Sequence, residues 1–147
     1  MKIILLGTSS ATPTLYRGLS STALIREGEV FLFDCGEGTQ IQLMRAGIRR
    51  SKIHSIFIGH LHGDHLYGIN GLLSTLHLDN RKTPVRVFGP EGLRRFLHAS
   101  FRTDKLRFSY PIEVLEFPRG FQGRVLDERE FFVDAMPLDH SIFCLGW

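Results

Sequence analysis

The run Gly59-His60-Leu61-His62-Gly63-Asp64-His65 places three imidazoles and one carboxylate within six residues, directly after an apolar stretch. That is the pattern of a metal site. His60 and His62 are two apart, so at a strand end their side chains leave on the same side and can grip one ion. Asp64 and His65 come where the chain turns toward a helix, and their different direction suits a second ion close by. Gly63 permits that turn. Imidazole and carboxylate donors suit zinc, with manganese or iron as alternatives, because neither a thiolate cluster nor an all-oxygen cage lies nearby. A solvated histidine-rich loop is the competing reading, but such a loop has no reason to follow the strand-like Ile53-His54-Ser55-Ile56-Phe57-Ile58.

The elements that must position these groups alternate in an α/β order. Lys2 to Leu6, Ser21 to Arg26 and Val30 to Asp34 read as strands, the last two joined by the turn Glu27-Gly28-Glu29. Thr39 with Gln42 three residues on forms a capping-box pattern, and Gly47 stands where a helix C-terminus favours glycine, so Thr39 to Ala46 is expected to be a helix. Ile53 to Ile58 is the strand before the histidines, and Leu66 to Leu78 is a second helix. Val85 to Phe88 reads as a strand, Pro90 to Phe101 as a helix with proline in its first turn, and Ile112 to Phe117 and Glu130 to Ala135 as strands. The Leu and Ile residues of 69–78 are core or dimer-face residues. His54, His77 and His98 read as ordinary strand or helix residues, and Asp34 as a carboxylate at a strand end that braces the metal loop.

At 147 residues and 43% hydrophobic, the chain suffices for one core and is short of two. No apolar run is long enough to span a membrane, so no membrane partner is expected. Met1 to Gly7 reads as a buried first strand rather than a signal segment. Cys35 and Cys144 are too few for a disulfide framework, which fits a reducing cytoplasm. The net charge of +3 permits a polyanionic partner without demanding one. Arg45, Arg49, Arg50 and Lys52 form a basic stretch that suits either RNA phosphates or a solvated helix end. The loop from Gly7 to Pro13 lacks the Gly-Lys-Ser/Thr ending of a nucleotide-binding P-loop.

His60-Leu61-His62-Gly63-Asp64-His65 resembles the metal motif of the metallo-β-lactamase superfamily. Further words resemble the ribonuclease Z family in particular: Leu6-Gly7-Thr8-Ser9-Ser10, Phe31 to Gln40 (FLFDCGEGTQ), Tyr67 to Leu73 (YGINGLL) and Pro137-Leu138-Asp139-His140. The resemblance runs from Met1 to Trp147 as one metallo-β-lactamase-like domain. It implies an α/β fold of the αββα sandwich type and a zinc-dependent endoribonuclease, with two Zn2+ per complete site, that removes the 3′ trailer from precursor tRNA. It implies His60, His62 and His140 on the first zinc and Asp64 and His65 on the second, Asp64 also orienting or deprotonating the attacking water. A cytoplasmic homodimer is implied as well. The family's Pro-x-Lys-x-Arg-Asn substrate loop matches at Pro13 and Arg17, but Leu15 and Gly18 replace its lysine and asparagine, removing a phosphate-pairing charge. Gly59 stands where the family usually carries threonine or serine.

The resemblance further implies that residues 1–147 form the N-terminal half of the sandwich. A second half, apparently absent, would carry a bridging aspartate and a histidine for the second zinc. Two alternatives to the tRNA nuclease stay open: a non-catalytic metal-binding fragment, and a related phosphodiesterase for small diesters. A lactamase or thioester hydrolase is disfavoured, because the FLFDCGEGTQ run and the Leu-Gly-Thr word resemble the RNA-processing branch.

Overall fold

The computed structural model of the chain describes residues 1–103 and 107–147. A six-stranded sheet runs in the order β1 (Lys2–Gly7), β2 (Ser21–Arg26), β3 (Glu29–Phe33), β4 (Ile53–Phe57), β5 (Val85–Pro90) and β6 (Ile112–Phe117). Its first three strands are antiparallel neighbours and β3 to β6 are parallel. A second, antiparallel sheet holds β7 (Gly123–Glu128), β8 (Phe131–Leu138) and β9 (Cys144–Gly146). The helices are α1 (Thr39–Arg45), α2 (Gly63–Leu66), α3 (Gly68–Leu78) and α4 (Leu93–Thr103), with a 3₁₀ turn at Arg50–Lys52.

The large sheet is covered on both faces, as its near-continuous apolar strands require. Val30, Leu32, Val85 and Val87 meet Leu43 of α1, Ile69, Leu72, Leu73 and Leu76 of α3, and Leu93 and Leu97 of α4. On the other face Phe31, Phe57 and Phe88 meet Leu126 and Val133 of the second sheet. The layers are therefore helices, sheet and sheet. Phe33, Phe57 and Phe88 occupy one register row across the parallel strands, stacked at centroid distances of 4.9 and 4.7 Å.

Several local expectations are corrected by the fold. The Thr39 hydroxyl donates to the Gly36 carbonyl at 2.7 Å instead of capping Gln42, and Gly38, in the left-handed region at φ 81°, is the residue that starts α1. Pro90 ends β5 rather than opening a helix: α4 begins at Leu93, capped from β6 by Glu116, whose carboxylate accepts from the Gly92 and Arg94 N–H groups. The helical segment after the histidines starts earlier than Leu66, at Gly63. The first strand is an edge strand with Ile3 and Leu5 exposed and only Leu6 buried. Strand β7 had no counterpart in the sequence reading. Gly47 does end the α1 turn, at φ 67°. Arg50 of the basic stretch is committed to Asp79 by two hydrogen bonds of 2.6 and 3.0 Å.

Phe57 is fully buried between two stacked rings. Phe57→Ala is expected to lower the unfolding free energy by about 3–5 kcal/mol, read as a shift of the urea midpoint. A loss below about 1 kcal/mol would mean that the site collapses around the cavity and that the stack carries little.

Candidate metal centre

Strand β3 ends at Phe33, and Asp34 then turns back at φ 60°, a left-handed conformation that costs a non-glycine residue free energy. The turn aims its carboxylate along the sheet end. Oδ1 accepts the Gly59 N–H at 2.9 Å, and Oδ2 accepts the Ser20 hydroxyl at 3.0 Å and meets His65 Nδ1 at 2.6 Å. The Asp34 N–H in turn donates to the Phe57 carbonyl of β4. One carboxylate at the end of β3 thus ties the segment before β2, the loop after β4 and α2 together. The backbones of Gly36, Asp64 and Gly68 approach so closely that a Cβ on either glycine would collide with main chain.

His60 and His62 lie in the loop between β4 and α2. His140 arrives from the far end of β8, and its ring sits 4.6 Å from that of His60 and 5.3 Å from that of His62, with the planes nearly perpendicular. The possible ligand atoms of His60, His62 and His140 lie within 4.8 Å of one another. A second group, His60, Asp64 and His65, meets the same limit. His60 is common to both groups, so its ring lies within reach of either set of candidate ligands. Hairpin β8–β9 holds the loop from the other side: the Leu145 N–H donates to the Gly59 carbonyl at 2.8 Å, and Cys144 Sγ lies 3.8 Å from His60 Nδ1.

The electrostatics favour uncharged imidazole at the centre and a charged carboxylate beside it. Burial, together with His65, His140 and His62 nearby, depresses the His60 pKa to about 4. The Asp34 carboxylate on Nδ1 raises that of His65. This contact directs the Nδ1 proton at Asp34 and leaves Nε2 for an ion. Burial pushes the Asp64 carboxyl up, but the Ala11 N–H on its Oδ2 at 3.0 Å and the nearby His65 outweigh it and hold the carboxyl below its ordinary value. Four imidazoles and one carboxylate lining one cavity are a donor set that fits a nitrogen- and oxygen-seeking transition metal such as zinc.

A cavity of about 540 Å³ opens over these five residues and is otherwise walled in part by Ala11, Pro13, Glu37 and Tyr67. Pro13 therefore borders the centre. Arg17 does not: it is exposed, and its N–H is used to close a turn on the Thr14 hydroxyl. Sequence reasoning missed Ser20, the Ala11 N–H, Glu37 and Tyr67. Tyr67 and Glu37 carried a signal, the one by its place two residues after His65, the other by its place in the FLFDCGEGTQ run. Its reading of Asp34 as a brace agrees with the hydrogen bonds found.

A helix–sheet–sheet sandwich that gathers a His-x-His-x-Asp-His loop and a distant histidine over its strand ends defines a protein of the metallo-β-lactamase fold. Residues 1–131 match the family model described as Anti-Pycsar protein Apyc1, and the chain belongs to that family. It is also a homologue of ribonuclease Z. It is 37% identical to the Bacillus cereus (strain B4264) ribonuclease Z over 150 residues, covering 100% of this chain and 48% of the relative. With the Salinibacter ruber ribonuclease Z the identity is 46% over 147 residues, covering 99% and 46%. The chain spans about half the length of the curated relatives it matches. The crystal structure of human tRNase Z, short form, superposes with a TM-score of 0.93 at 36% identity, covering 99% of this chain and 63% of that one. The metallo-β-lactamase fold protein YhfI from Bacillus subtilis shares the fold at a TM-score of 0.73 and 17% identity.

Asp34→Asn removes the charge that orients His65 and is expected to weaken divalent-metal binding about 10- to 100-fold, measured by competition with a chelator; an unchanged dissociation constant would show that Asp34 serves the backbone alone. The depressed His60 value sets a pH dependence. Between about 6.5 and 4 the unfolded chain binds a proton that folded His60 refuses, so metal-free protein loses stability as pH falls through that window. His65 acts in the opposite sense, contributing stability below its unfolded pKa and losing it as pH rises through its raised folded value. His60→Gln is expected to flatten the loss between pH 6.5 and 4 in denaturant titrations of chelator-treated protein.

Proposed function

We propose that residues 1–147, the N-terminal part of a metallo-β-lactamase-like domain, carry the metal centre of a zinc-dependent endoribonuclease that cleaves the 3′ trailer from precursor tRNA. The observation that carries the reading is the pair of ligand groups sharing His60, in a chain whose relatives are ribonucleases Z. His60, His62 and His140 would hold one Zn2+, and Asp64 and His65 the second. When bound, such ions supply Lewis acidity that polarises a phosphodiester, offsets its developing charge and makes a water more acidic. Asp64, kept ionised and fixed through Oδ2 by the Ala11 N–H, accepts a hydrogen bond from the attacking water and receives its proton. His65 keeps its orientation through Asp34. The bridging aspartate and further histidine implied by the family resemblance are proposed to lie outside residues 1–147. Pro13 borders the substrate path, and Arg17 on the same loop is proposed to meet RNA beyond the cavity. The acting form is proposed to be a cytoplasmic homodimer.

A second reading, a phosphodiesterase for small diesters, is favoured by Leu15 and Gly18, which replace the lysine and asparagine of the substrate loop. A third, a metal-binding module without catalysis, follows if further ligands are never supplied. Cleavage assays of the zinc-loaded protein on precursor tRNA and on a small chromogenic diester separate the three. Cleavage 3′ to the acceptor stem supports the nuclease, turnover of the small diester alone supports the second reading, and zinc uptake without turnover of either supports the third.

His62→Ala is expected to abolish zinc-dependent phosphodiester hydrolysis while leaving the thermal unfolding of the metal-free protein within about 1 kcal/mol of the parent. Retained activity with retained zinc would remove His62 from the ligand set.

A further inference from the structure

The cavity over the histidines is larger than a phosphate group needs and lies in the size range of pockets that take whole small ligands. Its chemistry is uneven. The candidate metal ligands lie within a few ångströms of one another, and among the described lining residues Tyr67 is the aromatic side chain other than the histidines. Aromatic rings ordinarily bury most of their surface, yet Tyr67 is 63% exposed. It is nonetheless held in place. Its ring runs parallel to that of Phe96 in α4, at an interplanar angle of 11°. One ring edge packs against Gly63, where any Cβ would collide with it. Its N–H closes the α2 turn onto the Gly63 carbonyl at 2.9 Å. A largely exposed aromatic ring bordering a cavity with a candidate site for an anionic group is the combination by which proteins hold single-stranded nucleic acid.

We propose that Tyr67 is a nucleobase platform: its ring stacks on the base next to the phosphate held over His60, His62, Asp64, His65 and His140. This rests on the phosphodiesterase reading above and adds to it the part of the substrate beyond the scissile bond. The ligand class is a nucleoside phosphate unit of a single strand, read by its π-face rather than by base-edge hydrogen bonds, so the preference among the four bases is weak. The same contact explains Gly63 a second way: besides easing the turn, it makes room for the ring.

The test is isothermal titration of the zinc-loaded protein with adenosine 5′-monophosphate and, separately, with inorganic phosphate, for the parent, Tyr67→Phe and Tyr67→Ala. The expected result is a loss of nucleotide affinity of about 5- to 150-fold in Tyr67→Ala, an unchanged affinity for phosphate, and retention of nucleotide binding in Tyr67→Phe. Unchanged nucleotide affinity in Tyr67→Ala overturns the platform, as does an equal loss for phosphate, which would mark the ring as a support of the metal loop. A parent that binds phosphate and nucleotide equally well overturns the platform alone. A zinc-loaded parent that binds neither overturns the phosphodiesterase reading, and the platform with it.

Discussion

The site depends on one carboxylate. Asp34 meets the Gly59 N–H, the Ser20 hydroxyl and His65 Nδ1 at once, joining three segments that the backbone ladders leave separate. A carboxylate has enough acceptor positions for all three partners, which an amide or hydroxyl lacks. To reach them Asp34 adopts a positive φ, and that strain is tolerated because the surrounding bonds over-determine its position. Without it, the His60 loop and the start of α2 would lose the side-chain anchor they share, leaving the backbone contacts of Cys35 with His65 and Gly68, the Leu145 N–H on Gly59 and the Ala11 N–H on Asp64.

The sheet supplies the rigidity against which this carboxylate works. Strands β3 and β4 end level with each other, at Phe33 and Phe57, while β5 runs on to Pro90, and Phe33, Phe57 and Phe88 stack across that register row. The loops that follow β3 and β4 therefore start from fixed points a strand spacing apart. The second sheet closes the site from the opposite side. Its β8–β9 hairpin delivers His140 and pins Gly59 through Leu145. A loop attached at both ends and braced in the middle keeps its imidazoles in a geometry that an isolated peptide of the same residues would sample rarely.

Gathering imidazoles this closely has an electrostatic consequence. Protonated, they would repel one another in a partly dry pocket, so the most buried, His60, is driven toward the neutral form. Neutral imidazole is also the form that ligates. The same proximity that makes the cluster costly for protons makes it receptive to a divalent cation, which replaces mutual repulsion with shared attraction. Asp34 divides the labour by holding the proton of His65 on the nitrogen that faces away from the cluster.

The α/β class, the strand before the histidines, the helix after them and the closeness of the four motif residues were legible because they are local. Residues within six positions of one another are constrained by the same turn, so type and spacing carry their geometry. The alternating apolar strands and the core face of Ile69, Leu72, Leu73 and Leu76 were legible for the same reason. Long-range meetings were not. Glu116 caps α4 from 24 positions away, the Ala11 N–H holds Asp64 across 53, and Ser20 reaches Asp34 from just before a neighbouring strand. His140 entered the reading through resemblance alone. Sequence by itself determined which residues carry donor atoms suited to a metal, since donor chemistry belongs to the side chain and its immediate spacing. Tertiary structure decided that His60 lies close to both groups of candidate ligands, that His140 comes beside His60 and His62, and that Pro13 borders the cavity while Arg17 stands outside it. Those outcomes follow from sheet register and hairpin packing, which bring together segments that share no local constraint.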